Sequence, residues 1–178
     1  MLKVHSIFSR FIVAFLLAGS ISPQANAETG DEEALKTAFL FNFFKFIEWT
    51  ETESNQAYSL CTVNNDHLGD SLIALENKTI RSKALVIRRG ISGQDLKNCH
   101  MVFISAAENA TDIIRDLKDL PIVTISDKPD FIGQGGIIGL EQDEGHLSFV
   151  INLSAAKAVN IYINAQLLKL AKRVFEVN

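Results

Sequence analysis

The chain has 178 residues, a formal charge of −4 and 47% hydrophobic residues, a balance that fits one folded domain with a substantial core. It lacks the basic excess of a nucleic-acid-binding surface, so no nucleic-acid partner is expected.

Residues 1–27 have the layout of a secretory signal: Lys3 and Arg10 in a basic start, an apolar run from Phe11 to Ala18, and small residues at Ala25-Asn26-Ala27 for cleavage. The apolar run is short of the roughly 20 residues a membrane-spanning helix needs, and no later segment is both long and charge-free enough. The expected mature protein, 28–178, is a soluble exported domain of 151 residues with a charge of −6. Cys61 and Cys99 are the only cysteines. In an exported chain such a pair reads first as a disulfide, ahead of a free-thiol nucleophile. The four histidines, His5, His67, His100 and His146, show no ligand spacing with these cysteines, so no metal site is expected.

Thr29-Gly30-Asp31-Glu32 matches a capping box and predicts the start of a first helix that stops near Trp49 or Thr50. Within it, Ala38 to Trp49 reads AFLFNFFKFIEW. At 100° per residue, Phe39, Leu40, Phe43, Phe44, Phe46 and Ile47 share one broad face, as a core-facing helix requires. Asn42, Lys45 and Glu48 form the opposite face, where Phe41 and Trp49 also fall. Either another element covers these two aromatics, or they anchor a partner, since aromatics beside a cation are favoured at interfaces.

Tyr58 to Val63 reads as a buried strand, Asn64-Asn65-Asp66 as a turn and cap, and Leu68 to Leu75 as a short helix. Ala84 to Ile87 is a second strand ending in Arg88-Arg89, and Ser92 to Leu96 a turn or short helix. His100 to Ile104 is a third strand, with Cys99 at its mouth. Ala110 to Leu117 has helical spacing, and Pro121 to Ile125 begins another strand. The alternation of strand and helix predicts a parallel α/β sheet. Ile137 to Leu140 and Leu147 to Ile151 then read as an antiparallel hairpin on the sheet's edge, with an acidic tip. From Ser154, a natural N-cap, the apolar spacing predicts a closing helix or helix pair. The expected fold is a single α/β domain, a mostly parallel sheet flanked by helices with a C-terminal antiparallel hairpin.

Three segments invite a chemical reading. Gly133-Gln134-Gly135-Gly136 is followed by a strand rather than the helix a phosphate loop needs, so it reads as a tight turn. Ser154-Ala155-Ala156-Lys157 has the Ser-x-x-Lys spacing of penicillin-interacting enzymes, but their companion motifs are missing. Asp127-Lys128-Pro129-Asp130-Phe131 lies past the C-terminal end of a strand, where open α/β sheets bind ligands, though a capped surface turn explains it equally. Phe131 and Ile132 either tuck under the sheet or offer a contact patch.

Taken in order, AFLFNFFKFIEW (38–49), CTVNND (61–66), LKNCHMVFIS (96–105), ISDKPDFIGQGGIIGL (125–140), SFVINLSAAK (148–157) and QLLKLAKRV (166–174) resemble the YfiR-like family of periplasmic regulators over nearly the whole mature chain. The resemblance implies a protein without catalytic activity or cofactor that binds the periplasmic sensor region of an inner-membrane diguanylate cyclase. Binding holds the cyclase inactive, lowering cyclic-di-GMP and biofilm formation, until an OmpA-like outer-membrane lipoprotein sequesters the repressor. Cys61 and Cys99 match a disulfide of the family; a second pair that some members carry near the hairpin is lacking. Phe41, Trp49, Asp127, Phe131 and Ile132 are the expected partner contacts, and the aromatic surface of the first helix suits a homodimer as well. The alternative is a small-ligand-binding module that signals to another membrane receptor or kinase through a cleft at the strand ends.

Overall fold

The computed structural model describes residues 25–50, 57–143 and 145–176, with side chains from Glu32 onward. The expected signal segment up to residue 24 and the polar stretch 51–56 lie outside the described residues.

The first helix, α1, spans Ala25–Phe46, so Thr29 lies inside it rather than at its start. Leu40, Phe43 and Phe44 on its inner face are fully buried. It ends three residues before the expected stop, because Ile47–Trp49 extends as β1. That strand pairs antiparallel with β9 (Ile161–Ile163), Ile47 opposite Ile163 and Trp49 opposite Ile161. A backbone bond from Asn164 N–H to the Phe46 carbonyl, 2.9 Å, helps seal the end of the helix. Here tertiary pairing of β-branched residues overrides a local helical pattern.

The central sheet contains β2 (Ala57–Val63), β3 (Thr79–Ile80), β4 (Lys83–Ile91), β5 (Met101–Ile104), β6 (Val123–Ser126), β7 (Ile138–Asp143), β8 (His146–Asn152) and β10 (Arg173–Phe175). Their order is β10-β8-β7-β6-β5-β2-β4-β3. From β4 to β7 all neighbours are parallel; β8 runs antiparallel to β7 and β3 antiparallel to β4. The fold is thus the expected mostly parallel α/β sheet with a C-terminal hairpin. β2, β5 and β6 read as near-continuous apolar runs because both their faces are covered. α1 covers one face, over Leu60, Phe103, Ile125 and Ile151. On the other, α2 (Ala110–Leu117) buries Ala110, Ile114 and Leu117, at i, i+4 and i+7, with Cys61, Val102 and Ile104.

The C-terminal segment departs from a helix pair. Two short helices, α3 (Leu153–Ala158) and α4 (Ala165–Leu170), alternate with β9 and β10. The cap of α3 is Asn152, whose side chain accepts from Ala155 N–H at 3.0 Å, not Ser154. β10 pairs parallel with β8, so the hairpin is not the edge of the sheet.

Candidate functional site

The chain leaves β6 at Asp127, whose carboxylate is fixed from two sides. Oδ1 accepts from Ala106 N–H at 2.7 Å, and Oδ2 lies 2.6 Å from Lys36 Nζ on α1. Lys36 also meets Glu32 at 2.6 Å. Burial pulls the pKa of the Lys36 ammonium down, but the hydrogen bonds it donates to Asp127 and Glu32, with the charges of those carboxylates, outweigh this and hold it above the ordinary lysine value. Lys128 donates to the carbonyls of Ala106 and Glu108. Farther along the same sheet end, Asp66 accepts from Thr62, from Leu68 N–H and from the Arg89 guanidinium. Much of the strand-end region where such sheets usually bind ligands is occupied by the chain's own polar side chains.

The loop then winds tightly. Backbone bonds from Gln134 to Asp130, Gly135 to Ile132 and Gly136 to Phe131 close successive turns, and Asp130 takes a left-handed conformation at φ 58°. Phe131 is 1% exposed, packed into the core beneath α2, and a Cβ on Gly136 would sit 2.2 Å from its ring. The Gly-rich run therefore exists to admit Phe131, which tucks under the sheet and is not a surface contact. Ile132 stays half-buried and lies over Gly139, where a Cβ would approach it to 3.4 Å.

Trp49 also proves internal. It is 9% exposed, with ring centroids 5.6 Å from Phe44, 5.5 Å from Tyr58 and 5.7 Å from His100. The turn into β1 carries it off the helical wheel that placed it beside Phe41. Phe41 remains half-buried, its ring 4.4 Å below Lys45 Nζ. Of the five expected contacts, Phe41, Asp127 and Ile132 keep exposed surface; Asp127 and Ile132 share a site, and Lys36 links Asp127 to the helix that carries Phe41.

That site is a groove of about 860 Å³ between the 127–133 loop, the outer face of β7 and β8, and β10. Arg173 stands opposite Val150 and Phe175 opposite Asn152, so the side chains of β10 form its far wall. The sequence reading missed this wall because it carried the closing helix or helix pair from Ser154 as far as Val174; the alternating Arg173 and Phe175 around Val174 were the available signal.

Cys61 and Cys99 are joined, Cα to Cα 6.0 Å, linking β2 to the segment that leads into its neighbour β5. Both are buried. Beside them, His100 Nδ1 accepts from Ser59 N–H at 3.1 Å, and burial, with the nearby Lys83 charge, pushes its pKa down. Lys157 of the Ser-x-x-Lys segment is ion-paired with Glu176. Among the described residues no cluster of His, Cys, Asp or Glu could hold a metal ion, and no helix is long and apolar enough to cross a membrane.

Fold and site together define a disulfide-tied, mostly parallel α/β domain with an open groove on one sheet face. The chain belongs to the YfiR/HmsC-like family, whose model matches residues 33–172. The family is periplasmic and regulatory rather than catalytic. A conserved domain protein from Vibrio cholerae is similar in fold, with a TM-score of 0.51 at 13% identity over 80% of this chain. The chain spans about 60% of that protein's length. No curated protein matches it.

Proposed function

We propose that this chain is exported through its signal segment 1–27 and that residues 28–178 repress an inner-membrane diguanylate cyclase by binding its periplasmic sensor region. The family match along residues 33–172 carries the reading. No bond is made or broken. A protein that binds the inactive state of the cyclase more tightly than the active one shifts the population by its differential affinity, and a competing binder such as an OmpA-like lipoprotein removes that bias. Phe41 beside Lys45 supplies an aromatic contact on α1, and Asp127 and Ile132 a second one at the groove. The same α1 surface can serve a homodimer that masks it until the partner arrives.

The test is capture from detergent-solubilised envelope by the disulfide-intact protein, with reduced protein and Phe41→Glu as controls. Recovery of a membrane diguanylate cyclase by the wild type, lost with Phe41→Glu, supports repression through α1. Recovery of a different receptor, or of nothing, overturns it and favours the small-ligand module, for which the 860 Å³ groove is the supporting feature.

A further inference from the structure

The hairpin outruns the strand beside it. β6 pairs with β7 only at Ile125 with Ile138 and Ser126 with Gly139, after which the chain turns off at Asp127 to bury Phe131 beneath α2. β7 runs on through Leu140–Asp143, paired with β8 on its other side as far as Asp143 opposite His146. One edge of that stretch is left without a strand.

The ladder shows which backbone groups this edge presents. Asn152 N–H bonds the Ile137 carbonyl, so alternate residues from 137 to 143 turn their N–H and C=O toward β8, while Ile138, Leu140 and Gln142 turn theirs away. The pairing of Ser126 with Gly139 takes the Leu140 N–H. The Leu140 carbonyl and the Gln142 N–H and carbonyl face the side that β6 has left, with no partner among the described residues. Both residues line the groove, although the Leu140 side chain lies in the core on the sheet's opposite face, so Leu140 meets the groove with its backbone. Glu141 and Asp143 alternate with them and are drawn toward Lys172 and Arg173, which leaves the edge clear of their side chains.

We propose that this open edge of β7 seats a short extended segment of the protein's partner, which takes the place β6 vacates and pairs backbone to backbone with Leu140 and Gln142. A row of donor and acceptor groups along a strand is matched by another strand about 4.8 Å away; a helix has spent its own groups internally. The occupant comes from outside this chain. Ala57 begins β2, which runs parallel with β5 and β6, so the described residues flanking 51–56 lie at the far end of the sheet. Phe175 stands opposite Asn152, beside the start of β7, so the described C-terminus lies there too. The identity of the partner rests on the repressor reading; the extended form of its segment rests on the β7 edge alone.

The experiment titrates isotope-labelled, disulfide-intact exported protein with the acetylated and amidated peptide Thr-Val-Thr-Val-Thr, and separately with the same peptide N-methylated at every residue, following backbone amides. The unmethylated peptide should give saturable shifts at Leu140, Gln142 and Asp143 and slow the solvent exchange of the Gln142 amide; the methylated one should give neither. Gln142→Pro removes an outward N–H that β8 does not use and should weaken peptide binding about tenfold, the scale of one hydrogen bond. If that variant fails to fold, the methylated peptide on the wild type decides. Absence of saturable shifts, shifts centred elsewhere, or an equal response to the methylated peptide overturns the proposal. The same shifts on raising protein concentration without peptide would give the edge to a second copy and overturn the partner. Envelope capture separates this proposal from the repressor reading. Undiminished cyclase recovery by folded Gln142→Pro overturns the β7 edge as the seat while leaving repression in place. Peptide pairing at β7 without cyclase recovery by the wild type upholds strand addition and overturns the cyclase as its source.

Discussion

Asp127 Oδ2 lies 2.6 Å from Lys36 Nζ, so the loop that walls the groove is tied directly to the middle of α1. The same carboxylate holds Ala106 N–H, which joins the loop after β5 to the loop after β6. One side chain thus fixes three segments, and the surface around Phe41 and the groove belong to one mechanical unit.

Asp127→Asn keeps an acceptor for Ala106 N–H but leaves Lys36, whose side chain is 14% exposed, with Glu32 alone. A loss of about 1–2 kcal/mol in urea denaturation is expected. Because the native pKa of Lys36 is raised, its contribution is complete below the unfolded lysine value and is lost as pH rises through the native one. Wild type and variant should converge in stability once the pH has passed the raised native pKa of Lys36.

The Cys61–Cys99 bridge closes a loop of 38 positions, for which chain entropy gives about 4 kcal/mol. A Cys61→Ala, Cys99→Ala protein should lose stability of that order against denaturant. Since both sulfurs are buried, reduction of the native protein should be slow and should speed up at denaturant concentrations that open the domain. Rapid thiol appearance without denaturant would contradict the packing.

The parallel core was legible because β2, β5 and β6 are short continuous apolar runs between turn residues, and α2 has a clean i, i+4, i+7 stripe. What escaped the sequence depended on partners distant in the chain. Ile47–Trp49 looks helical until Ile161–Ile163 is there to pair with it. Arg173–Phe175 is a strand because β8 offers it an edge. Trp49 and Phe131 could be read as core or as contact for the same reason: a helical wheel or a glycine run says nothing of a core supplied from elsewhere. Asp127 could be picked out as a candidate because strand ends in α/β sheets are a general ligand position, while the far wall of the groove could not be placed without β10.

Asp66 is almost wholly buried, its side chain 2% exposed, while that of Arg89 is 44% exposed. Burial alone would raise the Asp66 pKa, but hydrogen bonds from Arg89, Thr62 and Leu68 N–H reverse this and hold it below the ordinary value. Its stabilisation is present above the unfolded carboxylate pKa and is lost as pH falls through the native one. Arg89→Met removes the main neutralising group and leaves the buried carboxylate, so acid unfolding should move to higher pH. Asp66→Asn frees an arginine that water can reach, and its acid limb should flatten instead. Circular dichroism from pH 2 to 7 distinguishes them; equal shifts in both variants would mean that Thr62 and Leu68 carry the site.

Phe41 and Trp49, eight positions apart and alike in the sequence, should respond in opposite ways. Trp49 packs against Phe44, Tyr58 and His100, so Trp49→Ala should cost about 3–5 kcal/mol and loosen the β1–β9 pairing. Phe41 is only half-buried and shares its ring with Lys45, so Phe41→Glu should cost about 1 kcal/mol. Envelope capture supplies the second axis: Phe41→Glu should lose the partner while remaining folded. If Phe41→Glu instead unfolds the domain at ambient temperature, Phe41 belongs to the core and α1 ceases to be the contact surface. If it is folded and still captures the partner, the interface lies elsewhere, with the groove next to be tested.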